Sequence, residues 1–218
     1  MQMSQKAILF DQDGTLLDSA PGIKRCAQET LLELGMEPPA YADLDYFIGP
    51  PLRDCFRLSN VDEKNIEKAV VIYRKLYADH GKYDASIYPG LISALKQAKE
   101  DGFLLFVCTS KNEILAKDIL KHFSLDSYFD GVFGSRSDGA KAEKGAIIKR
   151  CLGNLGKRCK AIMVGDTHLD AIGAKENDIP CLIVDFGYGN KEKLKQNPPF
   201  KAIHSFDEII GVYKEIYR

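Results

Sequence analysis

Residues 7–18 read AILFDQDGTLLD, a short apolar run that ends in two carboxylates and a turn. A run too short for a helix and closed by Asp-Gly is typical of a parallel strand buried on both faces. In open parallel sheets, ligands bind outside the carboxyl ends of the strands. The stretch therefore predicts a buried strand that carries Asp11 to the ligand-binding edge of a sheet.

Asp11 and Asp13 lie two positions apart, so in an extended chain their side chains point the same way. Two such carboxylates repel each other, and a divalent cation between them or a bound proton would relieve the repulsion. Gly14 supplies the turn, since glycine adopts positive φ without strain. Taken alone, Asp-x-Asp-Gly is equally compatible with an ordinary solvated turn, so residues further along the chain must decide.

Composition narrows the class of protein. The chain has 218 residues, 45% of them hydrophobic, enough for one large domain or a domain with a smaller insertion. Lys and Arg total 30 against 31 Asp and Glu, and this net charge of −1 favours neither nucleic acid nor an anionic membrane. No apolar run approaches ~20 residues, and residues 1–6 lack the apolar core of a signal peptide. We expect a soluble cytoplasmic protein with no nucleic-acid or membrane partner.

The six cysteines and four histidines show no metal-binding spacing along the chain. The sequence has no Cys-x-x-Cys pair and no His at zinc-ligand spacing from a Cys. Cys108 and Cys181 fall in apolar strand-like runs, where cysteine behaves as a small hydrophobic residue. His80 ends a helical pattern, where a lone His is more often a helix-end cation than a ligand. We expect free, buried thiols.

Hydrophobic periodicity divides the chain into two parts. Residues 19–88 contain helical patterns and no convincing strand, whereas from Tyr88-Pro89-Gly90 onward helices alternate strictly with apolar strands. Such alternation predicts a parallel sheet with helices on both faces. The predicted fold class is α/β, with a three-layer, Rossmann-like parallel sheet core formed by residues 1–18 and 89–218. Residues 19–88 are predicted to be an inserted small helical cap domain.

Polar residues also occur after one of the later strands and at the start of a later helix. Thr109 and Ser110 follow a strand that ends at Cys108, and they lead into a helix whose first amide groups can bind an anion. Lys144 opens another helix against the helix dipole, so a further interaction is expected to favour it there. A plain helix cap and a solvated loop that contains Lys141 and Lys144 are the alternative interpretations.

The strand at residues 161–164 is followed by GDTHLD. Asp166 and Asp170 are four residues apart, a spacing that puts both on one helical face. Gly165 would let the backbone next to Asp166 approach another group closely. Asp170 could equally be a favourable anion in the first turn of the helix.

The sequence thus predicts one group of polar residues at the ends of consecutive strands, along one edge of the sheet. The group contains four acids, a hydroxyl pair and a lysine. A hard cation with oxygen ligands would relieve the repulsion among the acids, and a group made mainly of carboxylate and hydroxyl oxygens, without a His/Cys cluster, favours magnesium over zinc. A lysine and hydroxyls opposite such a metal would suit a phosphoryl group, which carries three negatively charged oxygens.

The chain resembles the haloacid dehalogenase-like hydrolases over nearly its whole length. The stretch FDQDGTLLDS (10–19) is similar to the family's first motif, Thr109 to its second, Lys144 to its third and GDTHLD (165–170) to its fourth. The third motif lacks the Lys-Pro spacing common in relatives. Lys144 is chosen over Lys141 because apolar residues continue a helix from it.

Two further stretches resemble the phosphoglycolate phosphatase-like subgroup. These are IGPPL (48–52), within a helical insertion similar to that subgroup's cap, and GYG (187–189). Arg53 follows GPPL at a place on the cap where substrate contact is expected, with a solvated helix charge as the alternative.

The resemblance implies catalytic roles. Asp11 would be the nucleophile that forms an aspartyl-phosphate, and Asp13 the acid that protonates the leaving oxygen and then the base that activates water. Thr109 and Lys144 would hold the phosphoryl oxygens, with Ser110 assisting through its backbone amide.

The resemblance also implies a Mg²⁺ site and a reaction. Asp11, the main-chain carbonyl of Asp13 and Asp166 would hold the metal, with Asp170 acting through water or by orienting Lys144. The predicted function is a Mg²⁺-dependent phosphatase for a small phosphorylated metabolite, either phosphoglycolate or a nucleotide. The alternative is a sugar-phosphate phosphomutase, which returns the phosphoryl group to its substrate. A monomer or weak homodimer is expected.

Overall fold

The structure is a computed structural model that describes residues 5–136, 143–156 and 158–218. Its chain divides into two compact units, a larger one of Met1–Leu17 with Ile87–Arg218 and a smaller one of Asp18–Ser86. Within the described ranges, no helix combines the length and the apolar character needed to cross a bilayer.

The described residues form strands, α-helices and short 3₁₀ helices, and the strands and α-helices are each numbered in chain order. The strands are β1 (Lys6–Phe10), β2 (Leu17–Asp18), β3 (Ser86–Ile87), β4 (Leu104–Asn112), β5 (Gly131–Ser135), β6 (Lys160–Gly165), β7 (Cys181–Val184) and β8 (Lys201–Ile203). The α-helices are α1 (Ala20–Glu33), α2 (Leu52–Leu58), α3 (Ile66–Asp79), α4 (Leu91–Glu100), α5 (Glu113–His122), α6 (Lys144–Leu152), α7 (His168–Lys175), α8 (Lys191–Gln196) and α9 (Glu208–Ile216). Short 3₁₀ helices span Tyr41–Phe47, Glu63–Asn65, Gly81–Tyr83 and Asp126–Tyr128.

Six strands form one parallel sheet in the order β5-β4-β1-β6-β7-β8. Strand β1 lies between β4 and β6, and its last residue, Phe10, pairs with Val107 on one side and Val164 on the other. This register aligns the carboxyl ends of the three central strands. The residues that follow them therefore meet at one edge of the sheet.

The side chains of β1 alternate between two separate hydrophobic cores, as the two-residue period of a strand requires. Ile8 and Phe10 face a core shared with α4, α5 and α9. Ala7 and Leu9 face a second core shared with α6 and α7. The sheet is thus the middle of three layers, and the predicted α/β fold with a parallel sheet core is confirmed.

The smaller unit is mainly helical and has an aromatic core. Phe56 of α2 packs edge-on against Tyr73 of α3, with ring centroids 6.2 Å apart, and Tyr73 stacks on Tyr77 one turn later at 5.8 Å. The strands β2 and β3, at the two ends of this segment, pair with each other. The sequence did not predict β3, because two residues are too few to show the alternation of a strand.

Candidate active site

Three carboxylates converge at the carboxyl edge of the sheet. Asp11 follows β1, and its amide donates a hydrogen bond to the Val164 carbonyl at 2.9 Å, which extends the strand pairing by one residue. Asp166 follows β6, and Asp170 lies in the first turn of α7. One oxygen of each of these three side chains lies within 4.8 Å of the other two, and all three residues are buried. Unneutralised, such a group would be strongly repulsive.

The Lys144 ammonium lies among these carboxylates. Its Nζ is 2.8 Å from Asp11 Oδ1 and 2.8 Å from Asp170 Oδ1, and it donates a hydrogen bond to the Cys108 carbonyl at 3.1 Å. Burial opposes the charge of Lys144, but the two carboxylates outweigh it and raise its pKa, so the side chain is a cation. These ion pairs explain a lysine at the start of α6. The competing residue, Lys141, lies outside the described residues.

Burial raises the pKa values of two of these acids, Asp166 and Asp11, above the ordinary value of an aspartate. Burial raises the pKa of Asp166 from 3.8 to about 8, with the Asp170 and Asp11 charges adding to the effect. Burial likewise raises the pKa of Asp11 to about 6, against the opposing charge of Lys144. Asp166 Oδ2 accepts a hydrogen bond from the Tyr188 amide at 2.8 Å, while its Oδ1 is buried without a hydrogen-bond partner among the described residues. An all-oxygen group with an unpartnered buried oxygen fits a hard divalent cation.

Close backbone approach at glycines makes room for the acids. Gly14 has a φ of +76°, and a Cβ there would lie 2.1 Å from Asp166 Oδ2. A Cβ on Gly187 would lie 2.3 Å from the Asp166 Cβ, so the GYG segment also packs on this side chain. The space beside Gly165 is taken by Asp170, whose Cγ would be 2.2 Å from a Cβ. The group that approaches Gly165 closely is therefore the second acid of the motif.

The Asp13 carboxylate pairs with Lys111 instead of joining the group of three acids. Asp13 Oδ2 lies 3.0 Å from Lys111 Nζ, and the Lys111 side chain is largely buried. Lys111 is a residue of this site that the sequence did not predict. The available signal was its spacing of two from Thr109, which in an extended chain puts both side chains on one side.

The segment that contains Thr109 and Ser110 remains extended up to the helix. Strand β4 continues to Asn112, with an irregular register after Cys108, and α5 begins only at the next residue. The Asn112 side chain caps α5 by accepting hydrogen bonds from two amides of its first turn. The interpretation of Thr109 and Ser110 as a plain helix cap is therefore wrong. Thr109 is 2% exposed, whereas Ser110 is exposed. Because Phe10 pairs with Val107, Thr109 comes one residue after the position on β4 that lies beside Asp11.

Arg53 belongs to the smaller unit, on α2. Its guanidinium donates two hydrogen bonds to the Glu67 carboxylate of α3, at 2.5 and 3.0 Å. Both side chains are more than half exposed, so this pair links two helices at the surface of the unit.

Known proteins resemble this chain over most of its length. Residues 8–184 match the family described as haloacid dehalogenase-like hydrolase. The chain is 36% identical over 194 residues to a 5′-nucleotidase from Pseudomonas aeruginosa, and the aligned region covers 88% of each protein. It is 33% identical over 220 residues to a phosphoglycolate phosphatase from Neisseria gonorrhoeae, covering 97% of this chain and 92% of the relative. A solved haloacid dehalogenase-like family hydrolase from Streptococcus pneumoniae superposes with a TM-score of 0.86 at 32% identity, covering 98% and 100% of the two chains.

The chain belongs to the haloacid dehalogenase-like hydrolase family. The predicted family and its phosphoglycolate phosphatase-like subgroup are confirmed. The prediction of an enzyme of the phosphoric monoester hydrolase class is confirmed as well.

Proposed function

We propose that this protein is a Mg²⁺-dependent phosphatase that hydrolyses small phosphate monoesters through an aspartyl-phosphate on Asp11. The observation that carries the proposal is the bridge that Lys144 forms between Asp11 and Asp170, with Asp166 beside them. A carboxylate held by a buried ammonium and flanked by a candidate cation site is suited to attack a phosphoryl group, whose charge both cations would offset.

Asp11 acts as the nucleophile. Its Oδ1 is held by Lys144, which fixes the side chain and leaves Oδ2 to attack the phosphorus atom. The new bond joins Asp11 to phosphorus as the bond from phosphorus to the ester oxygen breaks. Thr109, Lys144 and the Ser110 amide hold the phosphoryl oxygens during this transfer.

Asp13 moves the protons. It gives a proton to the leaving ester oxygen and then takes one from the water that attacks the aspartyl-phosphate, which releases inorganic phosphate. Lys111 holds Asp13 Oδ2, and Asp13 Oδ1 is buried without a hydrogen-bond partner among the described residues. The ion pair therefore leaves Oδ1 as the oxygen that carries the proton.

The residues that would hold Mg²⁺ are Asp11, Asp166 and the main-chain carbonyl of Asp13. When bound, Mg²⁺ would offset negative charge on the phosphoryl group and on the carboxylates. Asp170 has both oxygens occupied, because Oδ1 faces Lys144 and Oδ2 accepts hydrogen bonds from the Thr167 amide and hydroxyl at 3.0 and 2.9 Å. This supports a role for Asp170 in orienting Lys144.

Residues 1–18 with 89–218 form the catalytic core domain in this proposal, and residues 19–88 form the cap domain that selects the substrate. Two relatives are named a 5′-nucleotidase and a phosphoglycolate phosphatase, so nucleoside monophosphates and phosphoglycolate are the substrates to compare first. Arg53 of the smaller unit is the residue that we expect to influence the choice.

The test is release of free phosphate from a panel of phosphoglycolate, nucleoside 5′-monophosphates and sugar phosphates. We expect release that requires Mg²⁺, stops on adding EDTA and disappears in Asp11→Asn. Isomerised sugar phosphate without free phosphate would instead identify a phosphomutase. Release that persists in EDTA or in Asp11→Asn would overturn the proposal.

A further inference from the structure

Three side chains of different ligand chemistry lie together within the smaller unit. The sulfur of Cys26, a carboxylate oxygen of Glu29 and an imidazole nitrogen of His80 are all within 4.8 Å of one another. Cys26 and Glu29 are about one turn apart on α1, and His80 follows the last residue of α3. The group therefore joins the two longest helices of this unit at one point.

These three atoms lie close enough together for one metal ion to reach all of them. With bonds of about 2.0–2.3 Å, the ligand atoms of tetrahedral Zn²⁺ lie about 3.3–3.8 Å apart. His80 Nε2 and Glu29 Oε2 are 2.9 Å apart and share a hydrogen bond, so they would separate by less than ~1 Å to admit the ion. Both of these side chains are about one third exposed, at 38% and 35%, and can move. Cys26 is fully buried and fixed.

Neighbouring groups hold the sulfur and the carboxylate in place. A Cβ on Gly81 would lie 2.3 Å from the Cys26 sulfur, so the Gly81 backbone packs directly against that sulfur. Glu29 Oε1 faces Arg25 Nε at 3.8 Å while Oε2 faces His80, so the two oxygens have separate partners. Asp84 lies 3.2 Å from the Arg25 guanidinium and offsets its charge. Neighbouring groups that contact the ligating atoms in this way orient metal ligands.

We propose that Cys26, Glu29 and His80 bind Zn²⁺ and thereby tie α1 to α3. Sulfur, nitrogen and one oxygen are the donors that Zn²⁺ prefers, whereas the carboxylates beside Lys144 offer Mg²⁺ only oxygen. A thiolate and a carboxylate balance the charge of the ion, and water would complete the tetrahedron. Burial and then the Glu29 charge raise the pKa of the Cys26 thiol to about 12, so binding must release this proton. The ion is expected to stabilise the smaller unit.

The first test is titration of the full-length, metal-free protein with Co²⁺ in the presence of excess Mg²⁺. Co²⁺ bound by a thiolate gives a sulfur-to-cobalt charge-transfer absorption, which an all-oxygen site cannot produce. We expect this band at one equivalent and its loss when Zn²⁺ is added. It should be absent in Cys26→Ser and unchanged in Cys55→Ser, a matched control because Cys55 is also fully buried in the same unit. A band that persists in Cys26→Ser, or that never forms, overturns the proposal.

The second test is thermal unfolding with and without Zn²⁺. Zn²⁺ should raise the Tm of the wild type, and His80→Gln should weaken Zn²⁺ binding by at least ~10–100-fold, the loss that even outer-shell substitutions cause. His80 is partly exposed, so this variant carries the test if Cys26→Ser does not fold. An equal Tm gain in wild type and His80→Gln would show that the ion binds elsewhere. Phosphatase activity enters neither test, so this site can fail without affecting the proposed function.

Discussion

Lys144 Nζ lies 2.8 Å from Asp11 Oδ1, so a buried ammonium holds the carboxylate that we propose as the nucleophile. Lys144→Ala should lower kcat/KM by ~10²–10³-fold, the loss typical when one group that stabilises transition-state charge is removed. Initial rates with the best substrate measure this effect, and thermal unfolding measures the cost of leaving Asp11 and Asp170 without their cation.

Lys149→Ala is the matched control, because Lys149 is exposed on the same helix, α6. Lys141→Ala tests the choice made between the two lysines of the third motif. If Lys141→Ala and Lys144→Ala lose kcat/KM equally, the motif has been assigned to the wrong residue.

Substitution of Asp11 and of Asp13 should impair catalysis at different steps. Asn in place of Asp11 cannot form an acyl phosphate, so activity should fall to background. Asn in place of Asp13 removes proton transfer and should cost ~10²–10⁴-fold in rate. The leaving group of an aryl phosphate needs little general-acid catalysis. With such a substrate, Asp11 should still become phosphorylated in the Asp13→Asn variant, and the phosphorylated enzyme should accumulate.

Rapid-quench mass spectrometry of Asp13→Asn with Mg²⁺ is the measurement. The phosphoryl adduct should lie on the peptide that contains Asp11. An adduct on another residue, or steady turnover by Asp11→Asn, would contradict the mechanism.

The Lys111 ion pair should matter most when the leaving group is poor. Lys111→Ala removes the cation 3.0 Å from Asp13 Oδ2, so Asp13 would be held less well for proton transfer. The loss in kcat should be smaller than the ~10²–10⁴-fold effect of removing the acid itself, and smaller still for aryl phosphates than for alkyl phosphates. Lys117→Ala, an exposed lysine paired with Glu113 on α5, is the control. Equal losses of kcat for aryl and alkyl phosphates would show that Lys111 does not act in the proton-transfer step.

Stability should depend on pH and Mg²⁺ together. Burial raises the pKa of Asp166 from 3.8 to about 8, so the metal-free folded state binds more protons than the unfolded state in that range. The free energy of unfolding without metal should therefore fall as the pH rises from about 4 to about 8. Mg²⁺ needs the ionised carboxylates, so the gain in Tm on adding Mg²⁺ should increase across the same window.

Thermal melts in Mg²⁺ and in EDTA, recorded at stepped pH, measure both trends. Asp166→Asn should flatten the pH dependence in EDTA and reduce the Tm gain from Mg²⁺. A gain in Tm that is the same at every pH would argue against metal binding by Asp166.

Arg53 should affect which substrate is preferred and leave the chemistry intact. Arg53→Ala is expected to change the ranking of kcat/KM across the substrate panel, while the Asp11 adduct still forms. Arg57→Ala is the control, because Arg57 lies on the same helix, is similarly exposed and is also ion-paired with glutamate. An unchanged ranking in Arg53→Ala would make Arg53 a surface charge paired with Glu67.

Much of the fold could be predicted from local pattern. The buried run before Asp11 and the alternation of helices and strands after Gly90 are encoded in short stretches, because burial on two faces requires continuous apolar residues. The same logic predicted that acids following β1 and β6 would meet at one edge. The register of Phe10 with Val107 and Val164 then aligned those strand ends.

The sequence by itself determined the parallel α/β class, the family and the strand-end acids, because each depends on neighbouring residues or on a motif of fixed order. Only the tertiary structure decided how side chains distant in the chain pair with one another. Lys111 meets Asp13 because β4 stays extended to Asn112, which no periodicity indicated. Cys26 and Glu29 meet His80 because α1 packs against α3 in space, a contact set by packing between helices and absent from the spacing along the chain.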